Sequence, residues 1–159
     1  MNADISVVAT GDKWIGYGTE TFAGALERLL TLAKREIIAT LYLVSDLDIL
    51  NLIRDALERG VAVKLFVNGS ESVTDPKFKT GLTELETLSE RFKKLEIRAI
   101  RQGILHAKVL VVDYEWAIVG SANLTFSGMS ANYELGILIH SEEASWKIAN
   151  LVNRIGEQK

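Results

Sequence analysis

Up to about residue 100 the chain switches repeatedly between two hydrophobic periods. Residues 5–9, 37–44 and 61–67 are apolar in short runs or alternation, as strands are, whereas 21–34 and 48–59 repeat their apolar positions at helical spacing. Turn signals bound the switches, among them Arg59-Gly60 and Asn68-Gly69. This alternation predicts a sheet that is mostly parallel, with helices on its faces. A third helix over 82–92 and a strand over 95–100 continue the series.

Beyond Ile104 the texture changes. Three strand-like runs follow, at 105–112, 116–119 and 133–139, and only Asp113-Tyr114-Glu115 separates the first two, which predicts a hairpin. An amphipathic helix over 142–155 closes the pattern, with Trp146, Ile148, Ala149, Val152 and Ile155 facing inward. Residues 69–80, which hold the only proline, are expected to form a mobile loop. No repeat or linker divides the chain. The fold class expected is therefore α/β, one domain over 1–159, with a mixed, mostly parallel central sheet flanked by helices.

Composition narrows the function classes. At 159 residues, 48% hydrophobic and 25% charged, the chain can bury a core without metals or disulfides. The absence of cysteine excludes disulfides, thiolate zinc sites and a cysteine nucleophile. A net charge of -3 argues against coating nucleic acid by bulk electrostatics. A local basic cleft stays open, with Lys34, Arg35, Arg91, Lys93, Lys94, Arg98 and Arg101 as its candidates. No apolar run approaches the roughly 20 residues that span a bilayer. Met1-Asn2-Ala3-Asp4 lacks a signal-peptide pattern, so a cytoplasmic location is expected and a membrane partner is not.

The chemistry concentrates in His106-Ala107-Lys108, Asp113 and Gly120-Ser121-Ala122-Asn123. On a strand, residues two apart share a face, so His106 and Lys108 point together, as do Ser121 and Asn123 if their segment is extended. The hairpin brings the two segments side by side. A histidine and a lysine buried on one face need a partner, and a phosphate satisfies all four groups. Lys108 supplies a positive charge, with Ser121 and Asn123 adding neutral hydrogen bonds for the oxygens of a five-coordinate phosphorus. Glu134, opening the next strand, is placed to accept a hydrogen bond from His106 Nδ1 and leave Nε2 free to attack.

Together these residues resemble the HxK(x)4D motif of the phospholipase D superfamily, with its downstream GSxN and an NxE represented by Asn132-Tyr133-Glu134. Many members carry two such motifs in a chain, whereas this chain carries one. The resemblance is to the single-motif, nuclease-like branch, in which two identical chains complete the site. It implies a phospholipase D-like fold and a homodimer with a shared active site. His106 is then the nucleophile that forms a phosphohistidine, and its twin the acid that protonates the leaving oxygen. Lys108, Ser121 and Asn123 hold the phosphoryl oxygens, Glu134 orients the histidine, and Asp113 and Gly120 belong to the structural part of the motif.

Histidine counting points the same way. The sequence holds only His106 and His140, and His140 falls near the far end of the last strand. A nucleophile and a proton donor are both needed, so the donor is sought on a second His106. Two imidazoles at one phosphate titrate as a coupled pair and predict a bell-shaped pH profile. Metal catalysis wants clustered carboxylates. Asp46 and Asp48 read instead as a helix N-cap, so no metal and no cofactor is expected and activity should survive EDTA.

The leading function is a metal-independent nuclease acting on DNA and, in a wider reading, RNA. A phospholipase or phosphatidyl transferase is the alternative, and an inactive nucleic-acid-binding or assembly module the third reading. Basic residues around the site would favour nucleic acid and an apolar rim would favour lipid. Trp14, Tyr17 and Phe22 are expected to pack rather than line a groove, His140 to lie at the surface and Trp146 in the core. A domain cut from a larger enzyme stays open.

Overall fold

The computed structural model describes residues 3–16, 18–69 and 75–155. In chain order it contains β1 (Asp4–Thr10), β2 (Glu20–Thr21), α1 (Phe22–Leu32), β3 (Glu36–Leu41), α2 (Leu47–Glu58), β4 (Ala62–Asn68), α3 (Pro76–Arg91), β5 (Leu95–Ile100), β6 (Lys108–Val112), β7 (Trp116–Gly120), β8 (Glu134–His140) and α4 (Glu142–Ile155). A π-helical turn, Ser127–Ala131, precedes β8.

The strands form one eight-stranded sheet in the order β2-β1-β8-β7-β6-β3-β4-β5. As expected, it is mixed and flanked by helices. The parallel share is smaller than the alternating pattern suggests. β1–β2, β3–β4 and β4–β5 are parallel, while β1–β8, β7–β8, β6–β7 and β3–β6 are antiparallel. The reason is connectivity: a short turn joins β6 to β7, so the second half of the chain adds its strands as a meander between β1 and β3.

α1, α2 and α3 cover one face through a core that includes Phe22, Leu29, Ile53, Leu65 and Leu85. α4 covers part of the other through Ile38, Phe66, Val111, Ala117, Ala149 and Val152. The buried stripe of α4 is made of Ser145, Ala149 and Val152, with Ile148 and Ile155 partly buried beside it, as expected. Trp146 falls outside that stripe and is exposed, which corrects its expected core position.

α3 begins at Pro76, so the second part of the expected mobile loop is ordered helix. Asp75 caps it by accepting from Lys77 N at 2.8 Å, with proline at the first helical position. The rest of that loop, residues 70–74, and Tyr17 lie outside the described residues. Asp46 is the N-cap of α2, accepting from Asp48 N at 3.0 Å and Ile49 N at 3.2 Å. No helix among the described residues is long and apolar enough to cross a membrane.

Candidate active site

All the motif residues but Asp113 gather at the edge of the sheet where β3 and β4 end and β6 begins. His106 itself lies two residues before β6, in an irregular segment, and is exposed. The expectation of a buried histidine on a strand is thus not met in the single chain. Its backbone is nonetheless tightly held. Asn68, buried at the end of β4, donates from Nδ2 to Leu105 O at 2.9 Å and accepts from Leu105 N at 2.8 Å, as a strand neighbour would. Thr40, buried in β3, donates to Ala107 O at 2.6 Å and accepts from Val109 N at 2.9 Å. Side-chain groups thus clamp the residues flanking His106 and Lys108, in place of a regular ladder.

The Lys108 ammonium lies 3.1 Å from each ring nitrogen of His106 and donates to the His106 carbonyl at 2.8 Å. Tyr42, just past β3, meets the imidazole edge-on with centroids 4.8 Å apart and has Lys108 Nζ 5.0 Å from its ring centre. Burial pushes the Lys108 ammonium below the usual lysine range, against the opposing pull of the Glu134 carboxylate.

Glu134 faces the same pocket of charge but does not meet His106. Its carboxylate accepts from Ser121 Oγ and, at 3.1 Å, from Asn132 Nδ2. The Ser121 hydroxyl in turn accepts from Leu135 N at 3.1 Å. A hydroxyl has one proton, and here it is committed to Glu134. In this structure Ser121 therefore holds the carboxylate. Asn123 makes no side-chain hydrogen bond among the described residues, and its Oδ1 is buried without a partner. Its amide thus keeps hydrogen-bonding capacity for a ligand.

Gly120 sits where β7 and β8 pass beneath Phe22. A Cβ there would lie 2.6 Å from Phe22 Cζ and 2.8 Å from the Leu135 carbonyl. Asp113 is remote from this chemistry, at the opposite end of β6. Its carboxylate accepts from Lys34 N at 2.9 Å, Arg35 N at 2.7 Å and Glu36 N at 2.8 Å, fastening the turn between α1 and β3. These are amides far away in sequence, not those of its own turn. His140 is equally remote and exposed, stacked on Trp116 with centroids 3.9 Å apart.

Most of the basic candidates are engaged locally. Arg35 pairs with Glu115, Arg91 with Glu58 and Arg98 with Glu96, while Lys94 binds the Gly60 carbonyl. Arg101 alone among them opens the segment that delivers His106. Phe22 packs in the core, but Trp14 lies against Tyr133 with centroids 5.2 Å apart, both about half exposed. Tyr42, Thr40 and Asn68 were missed as site residues. Asn68 carried a signal, a polar residue closing an apolar strand, that its Asn-Gly context masked as a turn.

The family model described as "Cardiolipin synthase, PLD-like domain" matches residues 26–155. Cardiolipin synthase B of Salmonella typhi is 38% identical over 114 residues, covering 71% of this chain and 27% of that protein. This chain therefore spans less than a third of the length of such relatives. Among solved structures, the phospholipase D family member Nuc from Salmonella typhimurium superposes with a TM-score of 0.78 at 17% identity, covering 96% of this chain and 93% of that one. Phosphatidylserine synthase of Haemophilus influenzae follows at 0.71 and 18%, with 98% of this chain and 39% of that one covered. With its one HxK, GSxN and NxE drawn to a single edge of a sheet of this form, the chain belongs to the phospholipase D superfamily, in its PLD-like domain family.

Proposed function

We propose that the protein cleaves phosphodiesters by covalent catalysis at His106, in a site completed by a second copy of the chain, and that its substrate is nucleic acid. The observation that carries the reading is the contact between the Lys108 ammonium and the His106 imidazole, with Glu134 held beside them. His106 Nε2 attacks phosphorus, and the P–N bond forms as the P–O bond to the leaving alcohol breaks. The second His106 gives that alcohol its proton, then takes one from the water that hydrolyses the phosphohistidine. Lys108 and Asn123 hold the phosphoryl oxygens through attack and departure. None of these steps draws on a metal, and among the described residues no three His, Asp or Glu side chains are grouped to hold one.

Support for the second copy comes from the sheet. Cα pairing of Val7 with Ile137 and of Ile137 with Val119 puts these residues on one face, which Ile5 and Leu135 share by alternation. All five are exposed, on the side that α4 leaves open, and Val119 and Leu135 adjoin the segments carrying Ser121 and Glu134. An apolar strip bordering half a site is the surface a twin would cover.

For nucleic acid speak the cations at this end of the molecule, Lys13, Lys77 and Arg101, together with the accessible rings of Trp14 and Tyr133, which suit backbone contact and base stacking. Lipid is the second reading. It is favoured by the cardiolipin synthase relatives and by the exposed Ile104 and Phe126, 71% and 70% accessible near the motif segments.

The test is turnover of bis(p-nitrophenyl) phosphate, single-stranded and plasmid DNA, and phosphatidylglycerol vesicles, all in EDTA, for wild type and His106→Ala. Turnover lost in the mutant is expected, with DNA preferred over vesicles. Turnover that survives His106→Ala overturns the catalytic assignment. Vesicles preferred over DNA would move the substrate to lipid.

A further inference from the structure

The exposed His106 side chain needs an orienting group, and the Glu134 carboxylate assigned to that role is bonded to Ser121 and Asn132 instead. Among the described residues the imidazole hydrogen-bonds only to Lys108, itself a long and flexible chain. Tyr42 supplies what is missing. Its ring forms an edge-to-face pair with the imidazole, centroids 4.8 Å and planes 64° apart, and has the Lys108 ammonium 5.0 Å from its centre. Nucleophile and phosphate anchor thus share one aromatic partner.

Both halves of the motif hold Tyr42 in place. Two residues before it, Thr40 is bonded to Ala107 and Val109, on the segment that carries His106 and Lys108. Two residues after it, Val44 bridges to Leu124, the neighbour of Asn123, and the Leu124 carbonyl accepts from Ser45 N at 2.9 Å and Asp46 N at 3.1 Å. The ring is half-buried and lies with Lys108 and Asn123 on the wall of one small cavity. A ring anchored on both sides has the fixed position that an exposed imidazole lacks.

Charge adds to the ring's part. As His106 Nε2 bonds to phosphorus and the P–O bond breaks, Nδ1 keeps its proton and the imidazole becomes cationic, with the Lys108 ammonium starting 3.1 Å away. Like charges that close repel, and the electron-rich face of a phenol attracts both. We propose that Tyr42 is a positioning residue of the reaction, its ring fixing the orientation of the His106 imidazole and keeping the Lys108 ammonium beside it while both are charged. This deepens the phosphodiesterase reading and rests on it. The ring carries the role, and the hydroxyl takes no part.

The experiment compares wild type, Tyr42→Leu and Tyr42→Phe in turnover of bis(p-nitrophenyl) phosphate and, at fixed pH, in proton NMR of the histidine rings. Loss of one aromatic pair and one cation–π contact predicts a kcat about tenfold lower in Tyr42→Leu, with KM changed by less than about threefold. Tyr42→Phe keeps the ring and recovers most of that loss. His106 and His140 are the only histidines, so His106→Ala assigns both sets of imidazole C–H signals. The Tyr42 ring current displaces the His106 signals in wild type and Tyr42→Phe, and in Tyr42→Leu they move to the position of a free imidazole. Those of His140, stacked on Trp116, stay in place and report an intact fold. Tyr42→Met serves if Tyr42→Leu does not fold. Unchanged kcat in the folded variant, or a phenylalanine variant as impaired as the leucine one, would overturn the proposal. His106 signals that ignore removal of the ring, beside His106-dependent turnover, sink Tyr42 alone. Signals that follow the ring in a protein without turnover support the positioning and sink the catalytic reading.

Discussion

The Ser121 hydroxyl donates to the Glu134 carboxylate across β7 and β8 while accepting the Leu135 amide at 3.1 Å. The side chain assigned to the phosphate is thereby also the one that fixes the Glu134 carboxylate. In Ser121→Ala, Glu134 keeps only the Asn132 amide and the Leu135 N–H loses its acceptor. A hydrogen bond to a charged group is worth about 1.5–3 kcal/mol. Turnover of a chromogenic diester should fall by about tenfold or more in kcat, with KM less affected. A change confined to KM would show that Ser121 binds phosphate after all.

Lys108 sets the alkaline behaviour. Burial holds its ammonium below the ordinary lysine range, so the charge is lost at lower pH than on a free lysine. Affinity for a phosphodiester should weaken early on the alkaline side. Lys108→Arg stays charged there and should move that limb upward, while its planar fork lowers kcat at neutral pH. Profiles of kcat/KM against pH for the two proteins decide this, and coincident alkaline limbs would exclude Lys108 as the cause.

Asp113 is expected to matter for stability rather than chemistry. Its carboxylate satisfies three backbone amides, and its φ of 55° lies in the left-handed region. Alanine loses the acceptors and fits that conformation poorly, so Asp113→Ala should cost about 3 kcal/mol in urea unfolding. Asparagine tolerates the conformation and keeps one acceptor, and should cost about half as much. Equal losses in the two variants would discount the backbone contribution.

Gly120 answers to space. Any Cβ there meets the Phe22 ring and the Leu135 carbonyl, so Gly120→Ala should destabilise by about 2–3 kcal/mol. Adding Phe22→Leu should recover part of the loss, since the ring can be removed but the carbonyl cannot. Chemical denaturation of the single and double variants measures that coupling.

Tyr114 gives the fold an alkaline weakness. Burial first, then its hydrogen bond to Glu36 at 2.7 Å, pushes its phenol up to about 12. A folded pKa above the unfolded value near ~10 means that the contribution is complete below pH ~10 and is lost as pH rises toward 12. Tyr114→Phe should show a flatter decline in melting temperature across that window. An unaltered decline would assign the weakness to other groups.

Much of this protein is legible in local spacings along the chain. Period switching located α1, α2, α4, the second part of α3 and the longer strands, because a buried face must repeat at the period of its element. It also supplied the motif, since HxK, GSxN and NxE are local spacings. Asp46 as an N-cap was likewise legible, because capping involves only neighbouring residues.

Contacts between groups that meet across long sequence distances were not legible there. The placement of β8 between β1 and β7 follows from sheet assembly, which no local period encodes. Thr40 and Asn68 came to clamp the flanks of His106 only because β3 and β4 end beside that segment. Asp113 found its amides at residues 34–36, and Ser121 spent its single proton on Glu134. Hydrogen-bonding partners are chosen by position in space, and a hydroxyl or carboxylate carries no mark in the sequence of which partner it will find.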